Sequence, residues 1–164
     1  MINRNLKSML KINSTKNLIA KAFLYFMFFA IAFSSCKKNS DEVSTTPSIT
    51  IQSLTPGTIK QFSDTLTMII AYEDGDGDLG ENNSTAKNLF VTDKRINITT
   101  AYRISELAPQ GSAINIKGTL KLYLSNIPVL NGNNSESYNY DVYVKDRAGN
   151  TSNVVTSSSV TVVK

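Results

Sequence analysis

The chain has 164 residues, enough for one domain of ordinary size, and its 17 Lys and Arg against 13 Asp and Glu give a formal net charge of +4. Five of the basic residues and none of the acidic ones precede Ser35, so the chain from Cys36 onward carries 12 basic and 13 acidic residues. The sequence contains no His, no Trp and one Cys, which excludes His metal ligands, Cys-rich zinc sites and an internal disulfide. It also excludes enzymes that rely on a His base. No basic patch remains beyond Ser35 that would favour nucleic acid as a partner.

The first 35 residues have the pattern of an export signal. Five positive charges lie within residues 4–21, and residues 22–35 (AFLYFMFFAIAFSS) form an uncharged, mostly apolar run. That run is shorter than the roughly 20 residues of a membrane-spanning helix and suits the apolar core of a secretory signal peptide. An uncleaved membrane anchor is the alternative. Met1 and Met9 are both candidate start residues.

Small residues stand directly before the single cysteine, because the apolar run ends in Phe33-Ser34-Ser35-Cys36 and the chain then turns polar. This ending resembles the signal of bacterial lipoproteins, in the form used in Bacteroidota. The resemblance implies that Cys36 is lipidated and anchors an outer-membrane lipoprotein that faces the periplasm or the cell surface. Acylation also accounts for a lone cysteine in an exported protein. Residues 36–47, rich in Ser, Thr, Asn and charge, are predicted to be a flexible tether.

Residues 48–164 are predicted to form one all-β domain, because their apolar residues recur with the period of two that is typical of half-buried strands. The alternation is clearest over 49–52, 66–72, 89–91, 96–98, 114–124 and 138–144, with a last strand inside 153–164. Gly118 predicts a bend within one long strand. No segment of the domain has sustained helical periodicity. About seven strands predict an immunoglobulin-like β-sandwich, with an open Greek-key barrel as the alternative.

Three motifs resemble those of a known group of proteins. Residues 73–81 read EDGDGDLGE, residues 116–120 read IKGTL, and residues 145–153 read KDRAGNTSN, where Gly149-Asn150 suits a hairpin turn. As a set they resemble small Bacteroidota lipoproteins with an immunoglobulin-like domain of the fibronectin type III or cadherin-like kind. The resemblance implies a fold and a location, and it implies no activity.

The acidic loop after the second predicted strand is the candidate metal site. It places five carboxylates within nine positions, interleaved with three glycines: Glu73, Asp74, Asp76, Asp78 and Glu81. Carboxylates this close repel one another unless solvent or a cation offsets their charge, and glycine lets alternate side chains converge. Oxygen donors without nitrogen or sulfur favour Ca²⁺ and argue against zinc. The loop is no EF-hand, since Leu79 stands where that motif needs Gly, and a solvated polar turn is the alternative.

Topology extends the predicted site to the last hairpin. In an immunoglobulin-like sandwich, the loop after the second strand and the last hairpin lie at the same end of the domain. We therefore expect Asp146 and Asn150 to complete an oxygen shell for calcium. The predicted ligands are Asp74, Asp76, Asp78, Glu81, Asp146 and Asn150. The first strand begins at this end, so the predicted site faces the tether.

These features predict a non-enzymatic, lipid-anchored protein of the cell envelope, a binding or structural accessory stabilised by calcium, with a protein or glycan partner. A subunit or regulator of a larger envelope complex for glycan uptake or secretion is the alternative. An envelope hydrolase is the least favoured class, because a small β domain has little room for two carboxylates across a cleft. Tyr138 and Tyr140, on one face of their strand, are predicted to pack inside the domain rather than bind sugar.

Overall fold

The computed structural model describes residues 44–164. The predicted signal peptide, residues 1–35, lies outside this range, as do the predicted lipidation site Cys36 and the tether up to residue 43. Within residues 44–164 there is no helix that is long and apolar enough to cross a membrane.

The described residues form ten β-strands, which confirms the all-β prediction. The strands are β1 (Ser48–Thr55), β2 (Thr58–Lys60), β3 (Leu66–Asp74), β4 (Leu89–Asp93), β5 (Ile98–Tyr102), β6 (Ile116–Leu124), β7 (Ser135–Tyr138), β8 (Tyr140–Val144), β9 (Val155–Thr156) and β10 (Val160–Val163). Among these residues no helix is present.

The strands make three small sheets, in the orders β1-β3-β6, β2-β10-β7 and β5-β4-β8-β9. All neighbours are antiparallel except β2, which runs parallel to β10. Each sheet buries one face, as the period of two predicts. In β3, for example, Leu66, Met68 and Ile70 are fully buried while the residues between them are partly exposed. The buried residues of all three sheets form a single hydrophobic cluster.

Gly118 lies inside β6, so the predicted long strand is one strand, although it begins at Ile116 and leaves Ile114 half-exposed before it. Gly118 pairs with Tyr72 on β3. A Cβ atom at Gly118 would lie 2.8 Å from the Tyr72 hydroxyl. Glycine therefore leaves room for the Tyr72 ring to lie across the neighbouring strand.

Two of the predicted strands are each divided, because the chain passes from one sheet to another. Tyr138 ends β7 in the second sheet and Tyr140 begins β8 in the third, with Asn139 between them. The last strand divides in the same way at Ser157, between β9 and β10. These two divisions and the short β2 raise the strand number from the predicted seven or so to ten.

The tyrosines pack as the sequence predicts. Tyr138 and Tyr140 are both buried, and their hydroxyl oxygens are 2.9 Å apart in a hydrogen bond. Tyr143, on the opposite face of β8, stacks on Phe90 with the ring centres 4.7 Å apart. The described structure therefore uses all three rings for packing within the domain.

The chain changes sheets at Asn139 and again at Ser157, and hydrogen bonds join these two crossings. The Tyr140 N–H donates to the Ser157 hydroxyl at 2.9 Å, and the Ser157 N–H donates to the Tyr140 carbonyl at 2.8 Å. The Asn139 amide donates to the Ser157 carbonyl at 2.8 Å. The buried Ser157 therefore satisfies the backbone hydrogen-bonding groups at the point where both segments change sheets.

Replacing Ser157 with Ala should destabilise the domain by about 1–3 kcal/mol, because the buried Tyr140 N–H would lose its acceptor. Denaturant unfolding at neutral pH measures this change. Ser158 is exposed and gives a matched control, since Ser158→Ala should alter stability by no more than about 0.5 kcal/mol. Equal effects of the two substitutions would contradict this role of Ser157.

Candidate metal centre

The acidic loop and the last hairpin meet at one end of the domain, as predicted. Asp74 is the last residue of β3, Asp78 lies in the loop that follows, and Asp146 lies just after β8. One carboxylate oxygen from each of the three lies within 4.8 Å of the others. Residues more than sixty positions apart in the sequence thus form one acidic group, which we call the carboxylate cluster.

Two glycines let the acidic loop approach its neighbours. Gly77 and Gly80 have φ of +72° and +87°, in the left-handed region that favours glycine. A Cβ atom at Gly77 would collide with the Ile114 carbonyl, and one at Gly80 would collide with the Ser105 carbonyl. The loop therefore lies against the 104–114 segment at distances that only glycine permits.

Asp74 is the buried member of the carboxylate cluster. Its side chain is fully buried, and one oxygen, Oδ2, accepts the Leu79 N–H at 2.7 Å. The other oxygen, Oδ1, has no hydrogen-bond partner among the described residues. Burial, together with the nearby charges of Asp76 and Asp78, raises the pKa of Asp74 to about 6 against the opposing effect of the Leu79 hydrogen bond.

Asp78 and Asp146 are held by backbone groups of the hairpin. The Ala148 N–H donates to Oδ2 of Asp78 at 3.0 Å, while Oδ1 is buried without a partner. Burial, followed by the charge of Asp146, raises the pKa of Asp78. The two oxygens of Asp146 accept the main-chain and side-chain N–H groups of Asn150, at 2.7 and 2.9 Å. All three carboxylates are thus fixed by neutral donors.

Arg147 in the hairpin holds the backbone of the acidic loop. Its guanidinium donates to the Gly80 carbonyl at 2.7 Å and to the Gly77 carbonyl at 3.4 Å, and it lies 3.9 Å from a carboxylate oxygen of Glu106. Within residues 44–164, none of the three cluster carboxylates forms an ion pair with Lys or Arg. The charge of Arg147 acts on Asp78, where it opposes the rise in pKa, but it forms no direct ion pair with the cluster.

The other predicted ligands have different positions. Asp76 interacts with Asp74 and keeps one buried oxygen without a partner in the described structure. The side chain of Glu81 is not part of the cluster, and its main chain bonds to Ile104 and Arg103. Asn150 contributes its amide N–H groups to Asp146, so it orients a carboxylate.

The start of the domain also reaches this end. The Gly75 N–H donates to the Ser44 carbonyl at 3.1 Å, and the Asn150 side chain donates to the Thr45 carbonyl at 3.0 Å. Pro47 is fully buried. The last residues of the stretch predicted as a tether, 44–47, are therefore bonded to the domain beside the carboxylate cluster. The sequence predicts that the site faces the tether, but it does not indicate these particular hydrogen bonds or the contact of Arg147 with Glu106.

The cluster offers hard oxygen donors, which suit Ca²⁺ or Mg²⁺. No protein-family model, curated protein or solved structure matches this chain.

The raised pKa of Asp74 predicts how stability varies with pH. A carboxyl whose ordinary pKa is 3.8 and whose folded pKa is about 6 binds a proton more readily in the folded state, so its contribution to stability increases as pH falls through 6. In EDTA, as the pH is lowered from 7.5 to 5, the free energy of unfolding of wild type should rise relative to that of Asp74→Asn. The rise should be at most about 1.4 kcal/mol per pH unit. Urea unfolding at both pH values measures the difference.

Asp141→Asn is the control for this experiment. The Thr156 hydrogen bond and Lys94 lower the pKa of Asp141, so its carboxylate stays ionised throughout this pH range. The stability difference between wild type and Asp141→Asn should be the same at pH 7.5 and pH 5. A constant difference for Asp74→Asn as well would show that Asp74 is not the titrating group.

Proposed function

We propose that this protein is a non-enzymatic, lipid-anchored component of the cell envelope, facing the periplasm or the cell surface. Its immunoglobulin-like β-sandwich serves as a binding or structural accessory and is stabilised by calcium. The observation that carries the proposal is the cluster of Asp74, Asp78 and Asp146, in which the fully buried Asp74 keeps an oxygen without a partner among the described residues.

The spacing of the cluster fits a calcium ion. Ca²⁺ binds oxygen at about 2.3–2.6 Å, so one ion contacts oxygens up to about 5 Å apart. The three carboxylate oxygens lie within 4.8 Å of one another. Asp76 lies outside the cluster but close enough for its charge to raise the pKa of Asp74, and it keeps one buried oxygen without a partner among the described residues.

The positions of the ligands support a structural role for the ion. Asp74 ends a core strand, Asp78 belongs to the loop, and Asp146 belongs to the last hairpin. Asn150 binds both Asp146 and the Thr45 carbonyl. An ion held by the three carboxylates would therefore fix the loop and the hairpin, and through Asn150 the point where the chain enters the domain.

The immunoglobulin-like interpretation is supported by antiparallel sheets around a single core and by the loop and hairpin that meet at one end. The non-enzymatic interpretation is supported by a composition without His and with one Cys. Lipid anchoring is supported by the Phe33-Ser34-Ser35-Cys36 ending of the apolar run.

Calcium should raise the melting temperature of the full chain at pH 7.5, and Asp78→Asn should abolish most of this increase. Without calcium, the same substitution should raise the melting temperature, because it removes one of three repelling charges and leaves an oxygen to accept the Ala148 N–H. Opposite effects with and without the ion distinguish a ligand from a residue that only packs. Thermal melts in EDTA and in millimolar calcium, with calorimetric titration, measure both.

Glu81→Gln is the matched control, because it removes a carboxylate of the same loop that lies outside the cluster. It should keep the calcium response of wild type. A wild-type chain that neither shifts its melting temperature nor releases or absorbs heat with millimolar calcium would refute the proposed ion.

Anchoring is tested separately at Cys36. Wild type expressed in a bacterium with lipoprotein processing should enter the detergent phase on Triton X-114 partition, whereas Cys36→Ala should stay in the aqueous phase, because the acyl chains supply membrane affinity. Ser35→Ala keeps a small residue before the cysteine and should partition as wild type does. Partition of Cys36→Ala into the detergent phase would indicate an uncleaved anchor.

A further inference from the structure

The outer edge of β5 is open. β5 lies at the end of the sheet β5-β4-β8-β9, and no other strand from residues 44–164 pairs with its second side. The Tyr102 carbonyl accepts the Asn88 N–H, so Tyr102 directs its backbone groups toward β4. Because these groups alternate along a strand, Thr99 and Ala101 direct their N–H and C=O outward. Such an edge is a template for another strand.

The core-facing side of β5 is also uncovered. On β4, Leu89 and Val91 face the core and are 4% and 3% exposed. Val91 pairs with Thr100 on β5, which is exposed. The next residue on the same face of β5 is Ile98, and it is 58% exposed. A groove of about 180 Å³ lies beside this face, lined by Ile96, Ile98, Tyr102, Leu124 and Ile127 among others. One face of the edge strand therefore extends beyond the core and leaves apolar side chains in solvent.

This edge lacks the charges that usually protect one. Residues 96–102 contain no charged side chain and no proline. The charges just before them are engaged within the domain, since Lys94 pairs with Asp141 at 3.0 Å and Arg95 pairs with Asp93 at 2.6 Å. An approaching strand would meet free backbone groups and the uncharged side chains of residues 96–102.

We propose that β5 pairs with β5 of a second copy of this chain, antiparallel, about a two-fold axis at Thr100. The two four-stranded sheets then form one continuous sheet of eight strands. Thr99 of each copy exchanges hydrogen bonds with Ala101 of the other, which makes four bonds from the groups that point outward. The interface is isologous, as a two-fold dimer requires.

The sequence of β5 is complementary to itself in this register, and this favours a second copy as the occupant. Ile98 of each copy stands opposite Tyr102 of the other, an aromatic and β-branched pair of the kind that stabilises antiparallel sheets. Each Ile98 then extends the apolar face over the groove of its partner. The two Arg103 side chains lie about 20 Å apart along the paired strands, which is beyond the roughly 8 Å Debye length at physiological ionic strength.

A charge exchange at Thr100 tests the pairing. In full chain purified in detergent, light scattering should show a dimer whose fraction rises with protein concentration. Thr100→Lys and Thr100→Glu should each be monomeric, because the axis places each introduced charge opposite its own copy. A mixture of the two variants should restore the dimer, since opposite charges then face each other.

Thr119→Lys is the matched control, because Thr119 is exposed on β6 in another sheet and should leave the dimer unchanged. Circular dichroism establishes that each variant is folded. A wild-type chain that stays monomeric up to about 500 µM would overturn the proposal. A dimer that survives Thr100→Lys would overturn it too, as would a lysine and glutamate mixture that fails to associate. Partner strands from other proteins would then be the occupants to seek.

Discussion

The arrangement of this domain depends on holding three like charges together with neutral donors. Asp74, Asp78 and Asp146 each accept backbone N–H groups, from Leu79, Ala148 and Asn150. The Leu79 bond lies within the acidic loop, the Asn150 bond lies within the hairpin, and the Ala148 bond joins the two, so the contacts that shape the loop and the hairpin also concentrate the carboxylates. Burial then raises the pKa of Asp74, which shows that the ionised form is disfavoured at this place. A divalent cation bound by the three carboxylates would offset that charge.

The meeting of the loop and the hairpin could be predicted from the sequence, because it follows from strand alternation and from the rule that alternate loops share an end of a β domain. The detailed ligand set could not. Glu81 follows Gly80, whose left-handed conformation turns the chain toward Ser105, and its main chain bonds to Ile104. Asn150 directs its amide N–H toward Asp146 as a donor, whereas a metal ligand would direct its carbonyl oxygen toward the ion. Such differences arise from tertiary contacts that residue spacing does not record.

The divided strands show a second limit of the sequence pattern. Tyr138 and Tyr140 belong to different sheets, yet both point into the same core, so the alternation continues across the crossing. The side chains of Asn139 and Ser157 hydrogen-bond the two crossings together, and only they distinguish the point where the chain changes sheets from an unbroken strand. For the same reason, alternation predicts the strand at Ile98 but does not tell whether another sheet covers it. That depends on how far the opposite sheet extends.

The carboxylate end of the domain and the open edge are connected through Asn88. Its buried side chain accepts the Ile104 N–H and donates to the Ile104 carbonyl, and its main chain bonds to Tyr102 and Lys145. Tyr102 ends β5, and Lys145 directly precedes Asp146 of the carboxylate cluster. The Ile104 carbonyl also accepts the Glu81 N–H from the acidic loop. Order imposed on the hairpin by an ion would therefore reach the end of the edge strand through one buried amide.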